Sequence, residues 1–297
     1  MYSRNHTTYN PNTDKAFWDF SIDEFAVDFK ANVEYVSNFV GKKRNILQCS
    51  KQYKDCSSTK FAKISVVAHS LGTAQSFIAT STEPEWFDER ISILVALAPV
   101  SRSNHCVNDP NPNALVTKLM YFVFRLIRGF ILGEIWGENS IITSITYPIW
   151  YYIPSLWNYA LILFSDSTPS VNEISSIKTF LSHYPTGSSF RILQHLTQLA
   201  RTCEFESFDY GAAKNRFIYG TDSPKIYNLT NITIPVALYV GEYDTLSTPE
   251  SVVWLTQQLR NETLVKYELY PLGHVGFFVA KNMSYMEDAN QLIQLYN

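Results

Sequence analysis

The stretch AKISVVAHSLGTAQSFIATS, residues 62–81, decides the fold. Its first part, up to Ala68, is short, apolar and rich in β-branched residues, which predicts a buried strand. After Gly72 the apolar residues recur at helical spacing. Ser70 lies between the two patterns. The sequence therefore predicts a strand, a sharp turn and a helix, with a serine at the turn.

The turn itself matches a known catalytic pattern. Residues 68–72, AHSLG, fit G-x-S-x-G with alanine in the first glycine position. In this pattern a strained strand-to-helix turn exposes the serine, and small residues flank it because strand and helix approach closely. Ser70 is therefore the candidate nucleophile, and the Leu71 backbone N–H is a candidate oxyanion donor. A bare motif match also fits an ordinary strand–helix turn, but the flanking strand and helix signals favour the catalytic reading.

A serine nucleophile needs a base and an acid that orients the base. Two further β-rich runs, IPVALYVGEYD (234–244) and LVKYELYPLGH (264–274), each end in a loop with an ionisable residue. The order serine, acid, histidine is the one expected of this strand–turn–helix architecture. We predict that Asp244 is the acid and His274 the base.

Each of these two assignments has an alternative. Glu242 is nearer the strand and competes with Asp244, which we favour because it heads the loop. His274 could be an ordinary loop histidine, but it is the only histidine after His195. His69 is an unsuitable base because its position beside Ser70 points it away from the hydroxyl, and we interpret it as packing under the turn.

The remaining periodic segments place this site in an α/β fold. Residues 22–40 form an amphipathic helix pattern that Ser21 is placed to cap. Residues 91–100 are a continuous apolar run, which suits a strand buried on both faces of a parallel sheet. One helical pattern follows Asp244 at 249–259, and another forms the last residues of the chain. Strands and helices alternate, so the sheet should be mostly parallel.

The segment between the second and third predicted strands is about 130 residues long, far more than a crossover connection needs. We predict a core of residues 1–102 and 188–297 and a helical cap of residues 103–187. In the cap, Leu115–Leu132 is an apolar helix pattern with one basic stripe, and 146–164 is unusually aromatic. These helices either pack within the cap or form a lid that presents apolar surface to lipid.

Composition narrows the partners. The chain has 297 residues, 46% of them hydrophobic, a formal charge of −3 and a pI near 6.1, with Lys and Arg scattered, so we expect no nucleic acid. The longest apolar run contains three basic residues, so we expect no transmembrane segment. The first residues contain no signal-peptide pattern.

The cysteines indicate no metal site. Cys49, Cys56, Cys106 and Cys203 form no C-x-x-C pair and have no zinc-like histidine spacing, so we expect neither metal nor another cofactor. Two disulfides and four free thiols are both compatible with this count. Five N-x-S/T sequons, at Asn5, Asn228, Asn231, Asn261 and Asn282, weakly favour a secreted glycoprotein.

Several motifs in order resemble the acid lipases, the family of gastric and lysosomal lipases. They are YNP (9–11), FWDFSIDEFA (17–26), AHSLGTAQSFIATSTEPEW (68–86), ALAPV (96–100), LSHYPTGSSFRILQHLTQLARTCEFESFDYG (181–211), YNLTNITIPVALYVGEYDTLSTP (227–249) and LYPLGHVGFF (269–278). The resemblance covers nearly the whole chain and is weakest at 103–180.

The resemblance implies an α/β-hydrolase without a cofactor that cleaves neutral-lipid esters, triacylglycerols or sterol esters, and that is secreted or lysosomal. Ser70, Asp244 and His274 fall on the family's triad positions and Leu71 on its elbow donor. In the family, a signal peptide, several strands and a His-Gly oxyanion loop precede the segment with which this chain begins. We therefore expect a sheet that is incomplete at its N-terminal strands and impaired activity of this chain alone. A catalytically impaired relative that binds lipid or a protein, and a peptidase or thioesterase on the same fold, are the alternatives.

Overall fold

A computed structural model describes residues 5–49, 61–102, 134–135, 148–149, 151–153, 155–181, 183 and 187–297. The predicted helix Leu115–Leu132 lies outside these ranges. The α-helices whose bounds the structure gives are α1 (Ile22–Cys49), α2 (Leu71–Thr82), α3 (Pro84–Asp88), α4 (Ser155–Phe164), α5 (Ile174–Leu181), α6 (Phe190–Thr202), α7 (Ala212–Tyr219), α8 (Pro249–Gln258), α9 (Gly276–Val279) and α10 (Ser284–Tyr296). The strands are β1 (Ile64–His69), β2 (Ile91–Leu97), β3 (Glu134–Ile135), β4 (Ser188–Ser189), β5 (Val236–Gly241) and β6 (Leu264–Tyr270).

The central sheet has the strand order β1-β2-β5-β6, and its three pairings are parallel. The register aligns the carboxyl ends of the strands: His69 pairs with Leu97, and Leu97 with Tyr239. Loops that leave β1, β5 and β6 therefore begin at the same edge of the sheet. Strands β3 and β4 form a separate, two-residue antiparallel pair.

Helix α1 begins where the sequence predicts and continues further. The hydroxyl of Ser21 accepts the Asp23 N–H at 3.1 Å, and Glu24 accepts the Ser21 N–H at 2.7 Å, which caps the first turn reciprocally. The helix runs nine residues past the predicted end at 40. Gly41 does not stop it: a Cβ there would lie 2.7 Å from the Phe61 backbone, so this glycine makes room for the chain that leads into β1.

The core lies on both faces of the sheet. All seven residues of β2 are buried, as the continuous apolar run predicts. Leu94 and Ala96 pack with α1 and α2 on one face, while Ile93 and Val95 pack with α9 and α10 on the other. Side chains of a strand alternate between its two faces, so a strand can be buried at every position only when both faces are covered. This arrangement confirms the predicted α/β class with a parallel sheet.

Two further observations bear on the sequence predictions. Cys203, which ends α6 in the left-handed conformation, is disulfide-bonded. No helix in the part of the chain that the structure describes is long and apolar enough to cross a membrane. The division into core and cap, including the boundaries at 102 and 188, stays a prediction, because most of residues 103–147 lies outside the described ranges.

Candidate active site

Ser70 occupies the sharp turn between β1 and α2. Its backbone has φ 53° and ψ −122°, a conformation that a serine rarely adopts. Hydrogen bonds hold it there: the Ser70 N–H donates to the Leu97 carbonyl at 3.0 Å, and the Thr73 hydroxyl donates to the Ser70 carbonyl at 2.6 Å. The same hydroxyl accepts the Val100 N–H at 2.7 Å, which ties the turn to the end of β2.

The small residues around the turn are less constrained than the motif suggests. A Cβ on Gly72 would lie 3.8 Å from the Cβ of Ala68, an ordinary van der Waals contact. Alanine at position 68 therefore fits against α2, and an alanine would also fit at position 72. This spacing agrees with the sequence argument that small residues flank the serine and that alanine is tolerated at position 68.

Ser70, His274 and Asp244 form one chain of hydrogen bonds. His274 Nε2 lies 2.7 Å from Ser70 Oγ, and His274 Nδ1 lies 2.8 Å from Asp244 Oδ2. A carboxylate only accepts, so Nδ1 carries the proton and Nε2 is free to accept the serine hydroxyl. His274 and Asp244 are buried, with 5% and 3% of their surfaces exposed.

The Asp244 loop fixes the orientation of the acid. Asp244 Oδ1 accepts the N–H groups of Leu246 and Ser247, both at 2.8 Å, which leaves Oδ2 for the histidine. The Ser247 hydroxyl donates to the Pro99 carbonyl at 2.5 Å and so attaches this loop to the end of β2. Glu242, the competing acid, is exposed and is not the residue that contacts the ring.

The electrostatics of His274 favour its charged form once a proton arrives. Burial by itself lowers the pKa of the imidazole, but the carboxylate of Asp244, with a smaller contribution from Asp166, outweighs burial and raises the pKa above its usual value. A raised pKa strengthens the imidazole as a proton acceptor from the serine.

Leu71 is the first residue of α2, so its N–H has no partner within the helix. The N–H of Ser70 is already used by Leu97. The amide of Leu71 is therefore the donor beside the hydroxyl that can stabilise negative charge. Among the described residues, no group of three His, Cys, Asp or Glu side chains is placed to hold a metal ion.

Comparison with known proteins identifies the relatives of this chain. It is 28% identical over 268 residues to lipase member N of Mus musculus, 27% identical over 298 residues to gastric triacylglycerol lipase of Rattus norvegicus, and 27% identical over 280 residues to lysosomal acid lipase/cholesteryl ester hydrolase of Macaca fascicularis. These alignments cover 88%, 99% and 91% of the chain. The chain is a relative of the acid lipases. It spans 60% of the length of the lipase member N sequence, 68% of the gastric lipase and 62% of the lysosomal lipase.

A solved structure supports the fold of this acid-lipase relative. A monoacylglycerol lipase of Paleococcus ferrophilus superposes with a TM-score of 0.50 at 13% identity, over 94% of this chain and 77% of that one. At this identity the likeness concerns the fold alone, and it confirms the α/β-hydrolase class. No family model matches the chain.

The role of His69 differs from the sequence interpretation. Its Nε2 lies 2.9 Å from the backbone carbonyl of His274, so Nε2–H must donate to it. The ring also contacts Phe278 edge-on, with centroids 4.5 Å apart. Burial, and then the neighbouring His274, lower the pKa of His69 to about 3, so the ring stays neutral. His69 therefore supports the base loop rather than only filling space under the turn.

Asp166 is the site residue that sequence reasoning missed. It is fully buried, follows α4, and pairs with Asp244 through an isolated antiparallel bridge. No local pattern in LFSDSTPS marks it, because the contacts that place it in the site are with Asp244 and Val275, both far away in sequence. The structure thus places a second acid beside the predicted three.

Proposed function

We propose that this chain carries the catalytic site of a serine carboxylic ester hydrolase that acts on neutral lipids. The observation that supports the proposal is the hydrogen-bond chain from Ser70 through His274 to Asp244 at a strained strand-to-helix turn. Its acid-lipase relatives favour a lipid ester as the substrate.

The proposed reaction proceeds through an acyl-enzyme. Ser70 Oγ attacks the ester carbonyl while its proton passes to His274 Nε2, and Asp244 stabilises the imidazolium that forms. The Leu71 N–H stabilises the oxyanion. The tetrahedral intermediate then collapses: the bond to the alcohol oxygen breaks and the proton on His274 moves to that oxygen. Water repeats the sequence on the acyl-serine and releases the fatty acid.

The names of the relatives guide the assignment of the substrate. Rat gastric lipase is named for triacylglycerol and the macaque lysosomal lipase for cholesteryl ester, so we propose one of these two classes as the substrate. We also propose a secreted or lysosomal location. The disulfide of Cys203 supports this, because disulfides persist in oxidising compartments.

We further propose that residues 103–187 form a cap that contacts lipid. Support comes from α4 and the residues before it, where apolar side chains are exposed: Ile149, Tyr152, Ile153, Leu156, Tyr159 and Ile162. Tyr152 and Tyr159 are 78% and 67% exposed. Helix α4, SLWNYALILF, contains no charged residue. An exposed apolar patch is typical of a surface that contacts lipid or a protein partner.

The catalytic proposal is tested with a soluble ester and a covalent probe. We expect the protein to hydrolyse p-nitrophenyl butyrate slowly, as the impaired activity expected of this chain alone implies, and to be labelled by a fluorophosphonate. Ser70→Ala should abolish both, whereas Ser223→Ala, which removes an exposed hydroxyl elsewhere, should abolish neither. Hydrolysis that persists in a folded Ser70→Ala variant would overturn the mechanism. A folded wild type that neither reacts nor is labelled would leave the alternative, a relative that binds lipid without cleaving it.

The lipid-contact proposal needs a different comparison. Tyr152→Ser with Tyr159→Ser should weaken hydrolysis of a triacylglycerol emulsion and leave turnover of the soluble ester unchanged. Phe217→Ser, which alters another exposed aromatic residue, is the control. Equal activity of the double variant and wild type on the emulsion would contradict the proposed lipid contact.

A further inference from the structure

Asp166 lies where two catalytic loops and a third chain segment meet. The backbone around it pairs with the Asp244 loop: the Ser167 N–H donates to the Tyr243 carbonyl at 2.8 Å, and the Thr245 N–H donates to the Ser165 carbonyl at 2.9 Å. These two bonds flank the bridge between Asp166 and Asp244. The segment that follows α4 is therefore joined by its backbone to the loop that carries the acid.

The Asp166 side chain reaches the other catalytic loop. Its Oδ1 accepts the Val275 N–H at 3.3 Å, and its Oδ2 lies 3.5 Å from the Asn172 amide nitrogen. A Cβ added to Gly273 would lie 2.5 Å from both carboxylate oxygens. The carboxylate thus packs against the backbone on both sides of His274, and position 273 must be glycine for steric reasons while Asp166 is present.

The next residues extend this attachment along the base loop. The Glu173 N–H donates to the Val279 carbonyl at 2.6 Å, and the Lys281 N–H donates to the Val171 carbonyl at 3.0 Å. Residues 165–173, which we call the clasp segment, thus contact the acid loop with one end and the base loop and α9 with the other.

We propose that Asp166 is a positioning residue of this site, which holds the Asp244 and His274 loops at a fixed separation and adds a second negative charge beside the imidazolium that forms during catalysis. The inference rests on the proposed function, because it assigns Asp166 a role in the same acyl-transfer reaction. It requires that Asp166 is ionised, and the polar groups placed around its carboxylate, the Val275 and Asn172 N–H groups, are both donors.

The charges around Asp166 and the base act on both groups. Burial is the largest influence on Asp166 and raises its pKa above the usual value, and Asp244 acts in the same direction; the Val275 amide, His274 and Asn172 lower the pKa without offsetting burial. At His274, Asp244 and Asp166 both raise the pKa against burial. His69, the other titratable ring that faces His274, is neutral because its pKa is lowered to about 3. Asp166 is therefore the one further carboxylate that influences His274 among the described residues.

The test compares Asp166→Asn with Glu173→Gln, which makes the same charge change on the clasp segment without touching the Val275 amide. Asparagine keeps the acceptor for that amide and removes the charge. We expect kcat on p-nitrophenyl butyrate to fall about tenfold in Asp166→Asn. KM should stay unchanged. The acidic limb of the kcat/KM profile, which reports the pKa of the free base, should move to lower pH. Glu173→Gln should change neither.

A purely structural role would lower the melting temperature of Asp166→Asn without moving the acidic limb, and that result would overturn the proposal. If Asp166→Asn does not fold, Asp166→Glu decides: it keeps the charge, so the acidic limb should stay at the wild-type pH, while the displaced carboxylate should lower kcat. A wild-type kcat in folded Asp166→Glu would also overturn the proposal. Failure of the wild type to react with a fluorophosphonate refutes the proposed function instead, so the two failures are distinguishable.

Discussion

Replacing Asp244 with asparagine separates the charge of this residue from its structural contacts. Two backbone N–H groups, of Leu246 and Ser247, point at Oδ1. In Asp244→Asn the amide oxygen must stay with these donors, so the amide NH₂ must face the histidine ring. The ring then has to accept at Nδ1 and carry its proton on Nε2, where it can no longer accept the proton of Ser70.

The expected magnitude follows from this forced tautomer. Loss of the correct tautomer in a serine–histidine–acid site lowers kcat about 10⁴-fold, which is about 5.4 kcal/mol of transition-state stabilisation. Stability should change little, because both amide donors keep their acceptor. Asp244→Ala, by contrast, leaves the buried Ser247 N–H and the partly buried Leu246 N–H without this acceptor, so its free energy of unfolding should fall by about 1–3 kcal/mol, mainly from the buried group.

The assay measures kcat for p-nitrophenyl butyrate and the rate of fluorophosphonate labelling, with thermal melting of each variant. The reasoning predicts that Asp244→Asn melts near wild type and is almost inactive, and that Asp244→Ala is both inactive and unstable. An Asp244→Asn variant that retains kcat within about tenfold of wild type would refute the tautomer argument. Asp166→Asn introduced into that variant would then show whether the second carboxylate had replaced the first.

Three further predictions concern the backbone and the second histidine. Ser70→Gly should abolish hydrolysis but raise the free energy of unfolding by about 1 kcal/mol, because glycine relieves the strained φ and ψ at the turn; an unchanged or lower stability in chemical denaturation would contradict this. Gly241→Ala should lower the free energy of unfolding by about 1–3 kcal/mol and reduce kcat, because its Cβ would lie 2.6 Å from the Leu272 carbonyl oxygen. Gly72→Ala, the control, should resemble wild type in unfolding free energy and in kcat. His69 is protonated near pH 6.5 in the unfolded chain but only at about pH 3 in the folded chain, so its contribution to stability is complete above pH 6.5 and is lost as the pH falls towards 3. His69→Gln should therefore reduce the dependence of the free energy of unfolding on pH between these values. Equal slopes for the variant and wild type would argue against a neutral buried ring.

Much of the fold could be predicted because its signals are local. The strand before Ser70, the apolar run of β2 and the runs that became β5 and β6 each have the β-rich composition expected of a strand. Strands β2 and β5 are buried throughout, whereas β1, predicted to be buried, and β6 lie at the sheet edges and are only partly buried. Parallel strands bring their carboxyl ends to one edge of the sheet. Asp244 and His274, which follow the ends of two such strands, therefore lie beside Ser70 in the structure. The choice of Asp244 over Glu242 also agrees with the geometry, since the residue that heads the loop is the buried one.

The parts that sequence reasoning missed depend on contacts between distant segments. Asp166 is held by an amide 109 positions later, and a single aspartate in a polar loop gives no sign that it will be buried. The helix predicted over 22–40 continues through Gly41, and glycine is required there by the close approach of the Phe61 backbone. The donor role of His69 depends on a carbonyl 205 positions away. In each case the cause is a tertiary contact that no local pattern reports.

The clasp segment also limits how the protein can move. Its backbone is bonded to the acid loop at Tyr243 and Thr245 and to the base loop region at Val279 and Lys281, so residues 165–173 and the sheet edge should behave as one rigid unit. A hinge that lets α4 move relative to the sheet would have to lie before Ser165, where the helix ends. A chimera that replaces α4 with the matching helix of a relative should therefore fold when the two sequences are joined before Ser165. Joining them inside the clasp segment would separate the two catalytic loops from each other.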